Sequence, residues 1–348
     1  MLTAASPHHW QAEHNSLTLN RLQMNRLETS FAGLRLKNPI IVSSSGLTDT
    51  AVKNQRWAQA GAGAVVLKSL FEEQILMEAD WLGDPNMYPE GSDYLVEYVK
   101  EHKLEEYLRL IRESKQLCDI PVIASINCYR ESDWIAFAER IEQAGADAIE
   151  VNILALQSAV HYPYGTFEQR HISILSRIKQ HVGIPIIMKL GSNFTNPIAL
   201  INQLYANGAA AVVLFNRFYR PDIDIDKLQQ TAGETFSNDS ELSEALRWIG
   251  IASAAVPRID YAASGGVHSA EAVIKALLAG ASAVEVCSAL YLHSAALIEE
   301  FKKSICSWMD RQGMQSIPQF KGLLNNKDLT GVNTFERIQF LRYFSGRR

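Results

Sequence analysis

Apolar and small residues recur along the chain in one phrase, in which a glycine lies next to alanine and a run of apolar residues follows. Four copies of this phrase occur, at residues 61–69, 144–152, 207–216 and 279–287. A glycine that ends a helix, followed by a strand that is apolar on both faces, is typical of αβ units on a parallel sheet. Further apolar runs fall before and between the copies, at residues 40–43, 121–127, 185–190 and 259–263. The pattern therefore predicts eight parallel strands that alternate with helices.

Residues 264–290 indicate how such a sheet closes. One apolar run ends in Ser264-Gly265-Gly266, a helical pattern follows, and the next apolar run ends in Cys287-Ser288. Small residues after consecutive strands let backbone N–H groups approach a phosphate, and the loops after strands seven and eight of a (β/α)8 barrel often hold one. A plain tight turn and an open doubly wound sheet are the alternatives. Eight units with paired late loops favour an α/β fold of the (β/α)8 TIM barrel type.

Residues outside the eight units predict additions to this barrel. Residues 27–39 alternate around Gly33, which predicts an N-terminal hairpin that caps the bottom of the barrel. Three connections are longer than a barrel needs, at residues 70–120, 154–169 and 215–240, and we expect these long loops over the C-terminal mouth to carry function. We expect an N-terminal extension (1–25), a barrel domain (26–325) and a C-terminal tail or helix (326–348).

The composition narrows the classes of function. With 348 residues, of which 47% are hydrophobic, the chain can bury the core of one catalytic domain. A formal charge of −5 gives no basic surface, so we expect neither nucleic acid nor a membrane as a partner. The cysteines show no Cys-x-x-Cys spacing, and residues 1–25 lack the apolar centre of a signal peptide. These features predict a cytoplasmic protein without a metal site.

Five polar side chains lie where predicted strands end, namely Lys68, Asn127, Asn152, Lys189 and Asn216. A solvated strand end or an ion pair explains any one of them, but all five fall at the same end of the predicted barrel. Two lysines and three carboxamides suit a planar, polar, electron-accepting ring and a small anionic substrate, and with the phosphate loops they fit flavin mononucleotide (FMN). The alternative is a Schiff-base lyase or aldolase on a phosphorylated substrate, with Lys189 as a desolvated nucleophile.

The order and spacing of these motifs resemble the class 1 dihydroorotate dehydrogenases over about residues 27–322. Besides residues 264–290, the resemblance is carried by Asn38-Pro39, Ser45-Gly46, Leu67-Lys-Ser69, Gly91-Ser-Asp-Tyr94, Glu150-Val-Asn152 and Met188-Lys-Leu190. The resemblance implies an FMN-dependent oxidoreductase that acts on a CH–CH bond, passes electrons to a soluble acceptor and forms a homodimer. Its nominal reaction is the oxidation of dihydroorotate to orotate in pyrimidine biosynthesis.

The resemblance also implies roles for single residues. Lys68 would be catalytic and would lie with Ser69 over the flavin ring, while Lys189 would lie beside its N1–C2=O edge. The remaining contacts implied for the flavin or the substrate are those of Ser45, Gly46, Asn127, Asn152 and Asn216. The phosphate would be held by Ser264, Gly265, Gly266, Cys287 and Ser288.

The chain departs from the family pattern at the catalytic loop. The family carries a cysteine or serine base in this loop, whereas the aligned stretch, residues 152–157, places Ala155 at that position. Alanine cannot accept a proton. Gln157 replaces an asparagine of the substrate site, and residues 237–240 lie where the family has a double glycine. A different substrate, or a non-catalytic flavin-binding protein, is therefore an open alternative.

Nearby residues offer replacements for the missing base. Our hypothesis is that His161 or Tyr162 transfers the proton, from a loop that also carries Tyr164 and His171. Ordinary loop packing is the alternative explanation of these residues. Arg217, with Arg220 close by in the sequence, could bind a substrate carboxylate, and a salt bridge within the loop explains the two arginines equally well.

Overall fold

The computed structural model describes residues 26–71, 77–78, 89–127, 134–218 and 220–327, of which residues 89–94 are described by their backbone. The strands are β1 (Thr29–Phe31), β2 (Leu34–Leu36), β3 (Ile40–Val42), β4 (Ala64–Val66), β5 (Leu70–Phe71), β6 (Val122–Asn127), β7 (Ala148–Asn152), β8 (Ile186–Gly191), β9 (Ala211–Asn216), β10 (Pro221–Asp224), β11 (Gln229–Ala232), β12 (Asp260–Ser264) and β13 (Ala283–Val286). The helices are α1 (Ala51–Gln59), α2 (Pro89–Leu117), α3 (Trp134–Gln143), α4 (Thr166–His181), α5 (Pro197–Ala206), α6 (Leu242–Ala255), α7 (Ala270–Ala279), α8 (Ser288–Leu292) and α9 (Ala296–Arg311).

Eight of these strands form a closed parallel barrel. Their order around the barrel is β3, β4, β6, β7, β8, β9, β12 and β13, and β13 pairs with β3 again. The pairing of β4 with β6, for instance Val65 with Val122, joins the two ends of the sheet. Helices lie between successive strands, and β5 adds a short extra strand beside β6. The predicted (β/α)8 barrel is therefore confirmed, and the open sheet is excluded.

Capping side chains begin several helices directly after the loops at the mouth. The Thr50 hydroxyl accepts a hydrogen bond from the Lys53 amide at the start of α1, and Ser269 does the same for α7. Asn196 caps α5, whose first residue is Pro197. These residue types satisfy amide groups that have no partner inside the helix. They fix where each loop ends and so hold the loops close to the barrel.

The apolar core has two parts, one inside the barrel and one between the barrel and the helices. The inner part includes Ile41, Ala148 and Ala283, and the hairpin β1–β2 adds Phe31 and Leu36 to it. The hairpin therefore closes the bottom of the barrel, as the alternation around Gly33 predicted. The small inward side chains leave room for this plug, and the larger outer part packs the helices against the strands.

The long connections contain more regular structure than loops over the mouth would have. Residues 70–120 consist mainly of α2, because Leu104, Leu108 and Ile111 are buried at helical spacing and pack this helix onto the barrel. Residues 215–240 include the exposed hairpin β10–β11. In the second connection α4 already begins at Thr166, so the non-helical segment ends at residue 165.

The predicted chain divisions touch residues that the structure does not describe. The proposed extension, residues 1–25, lies outside the described residues, and so do residues 328–348 of the proposed tail. The backbone amides of Gly322, Leu324 and Asn326 still bond to carbonyl groups of α7 and α6. The chain thus follows the barrel up to the end of its described part, and the three divisions stay predictions.

Candidate active site

The alternation of side chains along the strands sorts the inward residues into layers. On β6, β7 and β13 the bottom layer consists of Ile123, Ala148 and Ala283. Two residues further along each strand, the middle layer consists of Ser125, Glu150 and Glu285. The top layer consists of Asn127, Asn152 and Cys287. Residues two apart on a strand share a face. The barrel is therefore apolar at the bottom and polar towards its C-terminal mouth, where enzymes of this fold have their active sites.

Lys189, Glu150 and Glu285 form a buried charged cluster in the middle layer. Their exposed fractions are 5%, 1% and 2%. The Lys189 Nζ lies 2.5 Å from Glu285 Oε2 and 3.5 Å from Glu150 Oε1. The Ser43 hydroxyl donates to the same Glu285 oxygen at 2.9 Å and accepts from Lys189 at 3.3 Å. One cation thus faces two carboxyl groups deep in the barrel.

The protonation of this cluster follows from burial and from the two like charges. Burial and the neighbouring Glu285 raise the pKa of Glu150 well above its ordinary value. Burial alone would raise the pKa of Glu285 too, but Lys189 and the hydrogen bonds from Glu150, Lys189 and Ser43 lower it. Burial opposes the charge of Lys189, but the two glutamates outweigh burial and raise its pKa. These shifts favour Lys189 as a cation, Glu285 as an anion and Glu150 as a neutral acid.

This ionisation bears on the lyase alternative. A Schiff-base nucleophile needs a neutral amine and therefore a lowered pKa. Lys189 is buried, paired with Glu285 and has a raised pKa, so its amine stays protonated. The structure disfavours Lys189 as a nucleophile and favours it as a fixed cation in the floor of the site.

The loops after β12 and β13 meet around a cavity of about 260 Å³. Its lining includes Lys189, Gly265, Gly266, Cys287 and Ser288. Both glycines have positive φ angles, +91° and +70°, which glycine adopts without strain. A Cβ added to Gly265 would meet no atom within 4 Å, whereas one added to Gly266 would lie 2.3 Å from the backbone nitrogen of Leu242. Open space beside a turn of small residues suits an anion held by backbone amides.

Further hydrogen bonds brace this phosphate-type loop. The Ser237 amide donates to the Ser288 hydroxyl at 3.0 Å, and the Ser237 hydroxyl lies 3.0 Å from His268 Nε2. Residues 237–240, where the family pattern of a double glycine is lost, therefore still contact the loop. Ser264 also lines the cavity.

A second cavity of about 310 Å³ adjoins the first, and the two share the residues Asn216, Arg217, Ser264 and Gly265. Within it, Arg217 Nε donates to Glu241 at 3.0 Å, and its other nitrogens donate to the carbonyl groups of Thr235 and Glu234 at 2.8 Å each. Arg220 lies 3.7 Å from the same carboxylate. The structure thus shows the salt bridge within the loop that the sequence left open, and substrate binding by Arg217 stays a prediction.

The predicted carboxamides meet at the mouth. Asn127 and Asn152 end the neighbouring strands β6 and β7 in direct register. Asn216 Nδ2 donates to Asn152 Oδ1 at 2.9 Å, and both Asn127 and Asn152 are buried. The bond between Asn152 and Asn216 holds these two carboxamides in fixed orientations above the Lys189 cluster.

Lys68 and Ser69 lie at a different cavity, of about 430 Å³, between β4 and α2. Lys68 is exposed, whereas Ser69 is buried and its hydroxyl contacts those of Ser44 and Ser125 at 3.0 and 2.7 Å. Ser45 and Gly46 follow β3, and a Cβ added to Gly46 would lie 2.8 Å from the Tyr291 hydroxyl. The roles predicted for these four residues towards a flavin stay predictions.

The loop after β7 presents few groups to the described cavities. Ala155 is half-buried and its carbonyl accepts from Asn193 at 3.0 Å, while Gln157 and His161 are exposed. The Tyr162 hydroxyl accepts from the Phe167 amide at 3.0 Å, in the first turn of α4. Substrate binding by Gln157 and proton transfer by His161 or Tyr162 stay predictions.

His171 differs from the loop residue that the sequence suggested. It lies inside α4, fully buried, with Nδ1 2.8 Å from the Phe167 carbonyl and its ring against Phe167 and Phe194. Burial lowers the pKa of His171 to about 4. Placing it in the loop was wrong, because the apolar spacing of residues 166–178 continues the helix through it. It is a neutral core residue.

Among the described residues, no group of three or more histidine, cysteine, aspartate or glutamate side chains could hold a metal ion. No described helix has the length and apolarity that crossing a membrane requires.

Of the middle layer, only Lys189 was predicted from the sequence as a site residue. Glu150 is part of a motif that carries the family resemblance, but no role was predicted for Glu150, Glu285, Ser43 or Ser125. The signal was available, because each of these residues lies two positions before a predicted site residue on the same strand or at the same strand end. Their pairing across the barrel, however, depends on the registers of non-adjacent strands.

Comparisons with known proteins agree with this geometry. A profile described as dihydroorotate dehydrogenase matches residues 26–309. The chain is 26% identical over 310 residues to "Dihydroorotate dehydrogenase B (NAD(+)), catalytic subunit" of Thermoplasma volcanium, covering 86% of this chain and 99% of that one. It is 29% identical over 305 residues to the protein of the same name in Methanosarcina mazei, covering 84% and 94%. It is 24% identical over 328 residues to "NAD-dependent dihydropyrimidine dehydrogenase subunit PreA" of Escherichia coli, covering 86% and 77%.

The fold is also similar to a solved structure, the dihydroorotate dehydrogenase of Eimeria tenella in complex with ferulenol. The TM-score is 0.62 at 15% identity, and the match covers 90% of this chain and 95% of that one. Enzymes of the matched family are flavin-dependent oxidoreductases that bind FMN and take part in pyrimidine biosynthesis, so the predicted enzyme class and cofactor are confirmed at the level of the family. With a profile that spans most of the sequence and a barrel that carries the expected strand-end residues, the chain belongs to the dihydroorotate dehydrogenase family.

Proposed function

We propose that this oxidoreductase removes two hydrogen atoms from a CH–CH bond of a small cyclic amide, nominally dihydroorotate to orotate in pyrimidine biosynthesis. The observation that carries the proposal is the bonded pair Asn152 and Asn216 at the mouth, above the buried Lys189 and beside the loop of Gly265 and Gly266. Carboxamides can bond the N–H and C=O groups of a substrate ring, and they add no charge. The relative named as a dihydropyrimidine dehydrogenase subunit supports a substrate of this ring type.

The residues present fit FMN. Gly265, Gly266, Cys287 and Ser288 would hold its phosphate, since the turn has positive φ angles and open space beside it. Lys189, a fixed cation in the floor of the same cavity, would bond the N1–C2=O edge of the ring. When bound, FMN supplies the two-electron acceptor for the substrate.

Position 155 determines how the substrate loses its second hydrogen as a proton. The methyl group of Ala155 cannot accept it. Of the two proposed replacements, Tyr162 is the more ordered candidate, because the residue is half-buried and its hydroxyl accepts a hydrogen bond from the Phe167 amide, whereas His161 is exposed. Replacing Tyr162 by phenylalanine would then slow substrate oxidation while flavin binding persists, and His161→Ala would have little effect.

The relatives' names also bear on partners. Two of them are called catalytic subunits, which supports electron transfer from this chain to a soluble acceptor or through a partner subunit. A homodimer and a cytoplasmic location complete the proposal.

The visible absorption spectrum of the anaerobic purified protein tests the proposal. We expect flavin bands that bleach when dihydroorotate or dihydrouracil is added. Bands that dithionite bleaches and neither substrate affects would support a non-catalytic flavin-binding protein and contradict the proposed reaction. The absence of flavin bands after incubation with FMN would contradict the cofactor as well.

The variant Ala155→Cys adds a control for the substrate. If the site binds dihydroorotate and lacks only the base, the new thiol should speed bleaching by dihydroorotate by at least about tenfold, a threshold set below the roughly 10²–10⁴-fold that a well-placed general base contributes. Ala155→Val, which fills the position without a proton acceptor, is the matched control. Equal rates in both variants would show that another group already accepts the proton or that dihydroorotate is not bound.

A further inference from the structure

A chain of hydroxyl groups runs from the mouth of the barrel to the buried glutamates. The Ser44 and Ser69 hydroxyls are 3.0 Å apart, and those of Ser69 and Ser125 are 2.7 Å apart. The Ser125 hydroxyl donates to Glu150 Oε1 at 3.4 Å. Four side chains from β3, β4, β6 and β7 or from their C-terminal ends thus form one continuous hydrogen-bonded path.

The outer end of this path meets two of the three described cavities. Ser44 is half-buried and lines the cavity that contains Lys189 and Gly265, while Ser69 lines the cavity beside the exposed Lys68. The middle of the path is sealed, since Ser125 is fully buried. Its amide donates to the Tyr107 hydroxyl at 2.6 Å, and that hydroxyl donates to its carbonyl at 2.9 Å. This bracing fixes the strand position of Ser125 and leaves its hydroxyl for the path.

The inner end of the path is the carboxyl group of Glu150, whose second oxygen takes no part in the path. Glu150 Oε2 is buried without a hydrogen-bond partner among the described atoms, and the two carboxyl groups are close enough for a hydrogen bond when Glu150 carries a proton. The acid proton of Glu150 therefore satisfies both groups when it points to the Glu285 carboxylate. The other titratable groups that act on this pair are Lys189, Tyr107 and Cys287, from β8, α2 and the end of β13.

We propose that Glu150 and Glu285 are the proton store of the site, filled and emptied through Ser125, Ser69 and Ser44. The proposal rests on the FMN-dependent function proposed above. This chain has Ala155 where the family carries a cysteine or serine base. The hydroxyl path would give it another route for protons, through the wall of the barrel.

The transfer balances in atoms and charge. A proton that leaves the substrate enters at Ser44, each hydroxyl passes on its own hydrogen, and Ser125 gives one to Glu150 Oε1. Glu150 then gives the proton on Oε2 to Glu285, so that both glutamates are neutral and every serine keeps one hydrogen. Bound FMN would supply the acceptor for the two electrons and the other hydrogen, and its gain of one negative charge would offset the gain of one positive charge by the store. The proton would return by the same path once a soluble acceptor has taken the electrons.

Infrared difference spectroscopy of the FMN-loaded protein tests the proposal without any substrate. Electrochemical reduction should produce a new carboxylic-acid C=O band with loss of a carboxylate band, and the acid band should shift in D2O. The rate of its appearance reports the path. Ser125→Ala breaks the path and should slow this rate at least about tenfold, while Ser114→Ala, another fully buried serine, on α2, is the matched control and should leave it unchanged.

Glu150→Gln provides a second test of the inner end. An amide can donate to Glu285 as the acid did, so the variant should fold and bind FMN, but it cannot relay a proton. We expect the acid band to appear as slowly as in Ser125→Ala.

Three results would overturn the proposal: no gain of an acid band in the parent protein, a parent-like rate in Ser125→Ala, or equal slowing in Ser114→Ala. The failure of dihydroorotate to bleach the flavin would instead contradict only the proposed reaction. A failure to bind FMN would overturn both.

Discussion

Removing the Lys189 amine should destabilise the protein in a way that depends steeply on pH. In Lys189→Met the apolar side chain replaces the cation in a similar volume, and Glu285, 2% exposed, loses its partner at 2.5 Å. A buried carboxylate that has lost its cationic partner takes up a proton. Protonating this carboxylate costs about 1.36 kcal/mol for each pH unit above the ordinary glutamate pKa of about 4.3. The cost is therefore about 4 kcal/mol at pH 7 and about 1 kcal/mol at pH 5.

The direction of this change in stability with pH follows from the linkage between folding and proton binding. The pKa of Glu285 in the folded variant lies above its unfolded value, so the folded state binds more protons, and stability falls as pH rises between the two values. The value of about 4 kcal/mol agrees with the 3–5 kcal/mol, roughly, that breaking one side of a buried ion pair costs. Urea unfolding of the parent and Lys189→Met at pH 5 and pH 7 measures the effect.

Two further variants separate charge from packing. Lys189→Met with Glu285→Gln has no carboxylate to neutralise at this position, so it should recover most of the loss at pH 7 and show little extra pH dependence. Glu150→Gln should change stability by about 1 kcal/mol or less, since an amide replaces a neutral acid. A penalty for Lys189→Met that is equal at both pH values, or no recovery in the double variant, would refute the assignment of charges in the cluster.

Two other predictions concern the phosphate-type loop and the core. Gly266→Ala should lower the free energy of unfolding by about 3 kcal/mol or more, because φ is +70° and the new Cβ would lie 2.3 Å from the Leu242 nitrogen. Gly265→Ala should lower it by about 1–2 kcal/mol, because only its φ of +91° is unfavourable. Urea unfolding of the two variants measures the difference. His171 has a pKa lowered to about 4 by burial, so its contribution to stability is lost as pH falls from about 6.5 towards 4, by up to about 3 kcal/mol. His171→Leu should remove this loss, and equal acid limbs in the parent and variant unfolding curves would contradict it.

The eight strands and the hairpin could be predicted because each is written in local patterns. The repeated glycine, alanine and apolar run marks a helix end and a buried strand in four places, and the alternation around Gly33 marks the hairpin. The strand-end residues followed from the same patterns, since parallel strands bring their C-terminal ends to one side. The apolar spacing of Leu104, Leu108 and Ile111 would also have predicted most of α2.

Other features depend on contacts between distant residues and could not be predicted in this way. The salt bridge of Arg217 with Glu241 requires the loop of residues 217–241 to fold back on itself. The Lys189 cluster requires β7, β8, β13 and the end of β3 to meet at one height in the barrel, which depends on the shear of the closed sheet. From the sequence alone, His171 could be a base in a loop or a residue of the core. Only the helix that contains it decides between the two.

As the proposed proton store, the cluster would allow the site to tolerate alanine at position 155. A cation in the floor of a flavin site favours the reduced cofactor, but in this chain the charge of Lys189 is already balanced by Glu285 at 2.5 Å. If FMN binds above the cluster as proposed, a net positive charge would arise below it when Glu285 takes up a proton, and electrostatics would couple reduction to proton uptake whichever group first accepts the proton of the substrate. The loop that carries Ala155 is then free to vary with the substrate, while the residues that balance charge stay on the strands, where packing holds them in place.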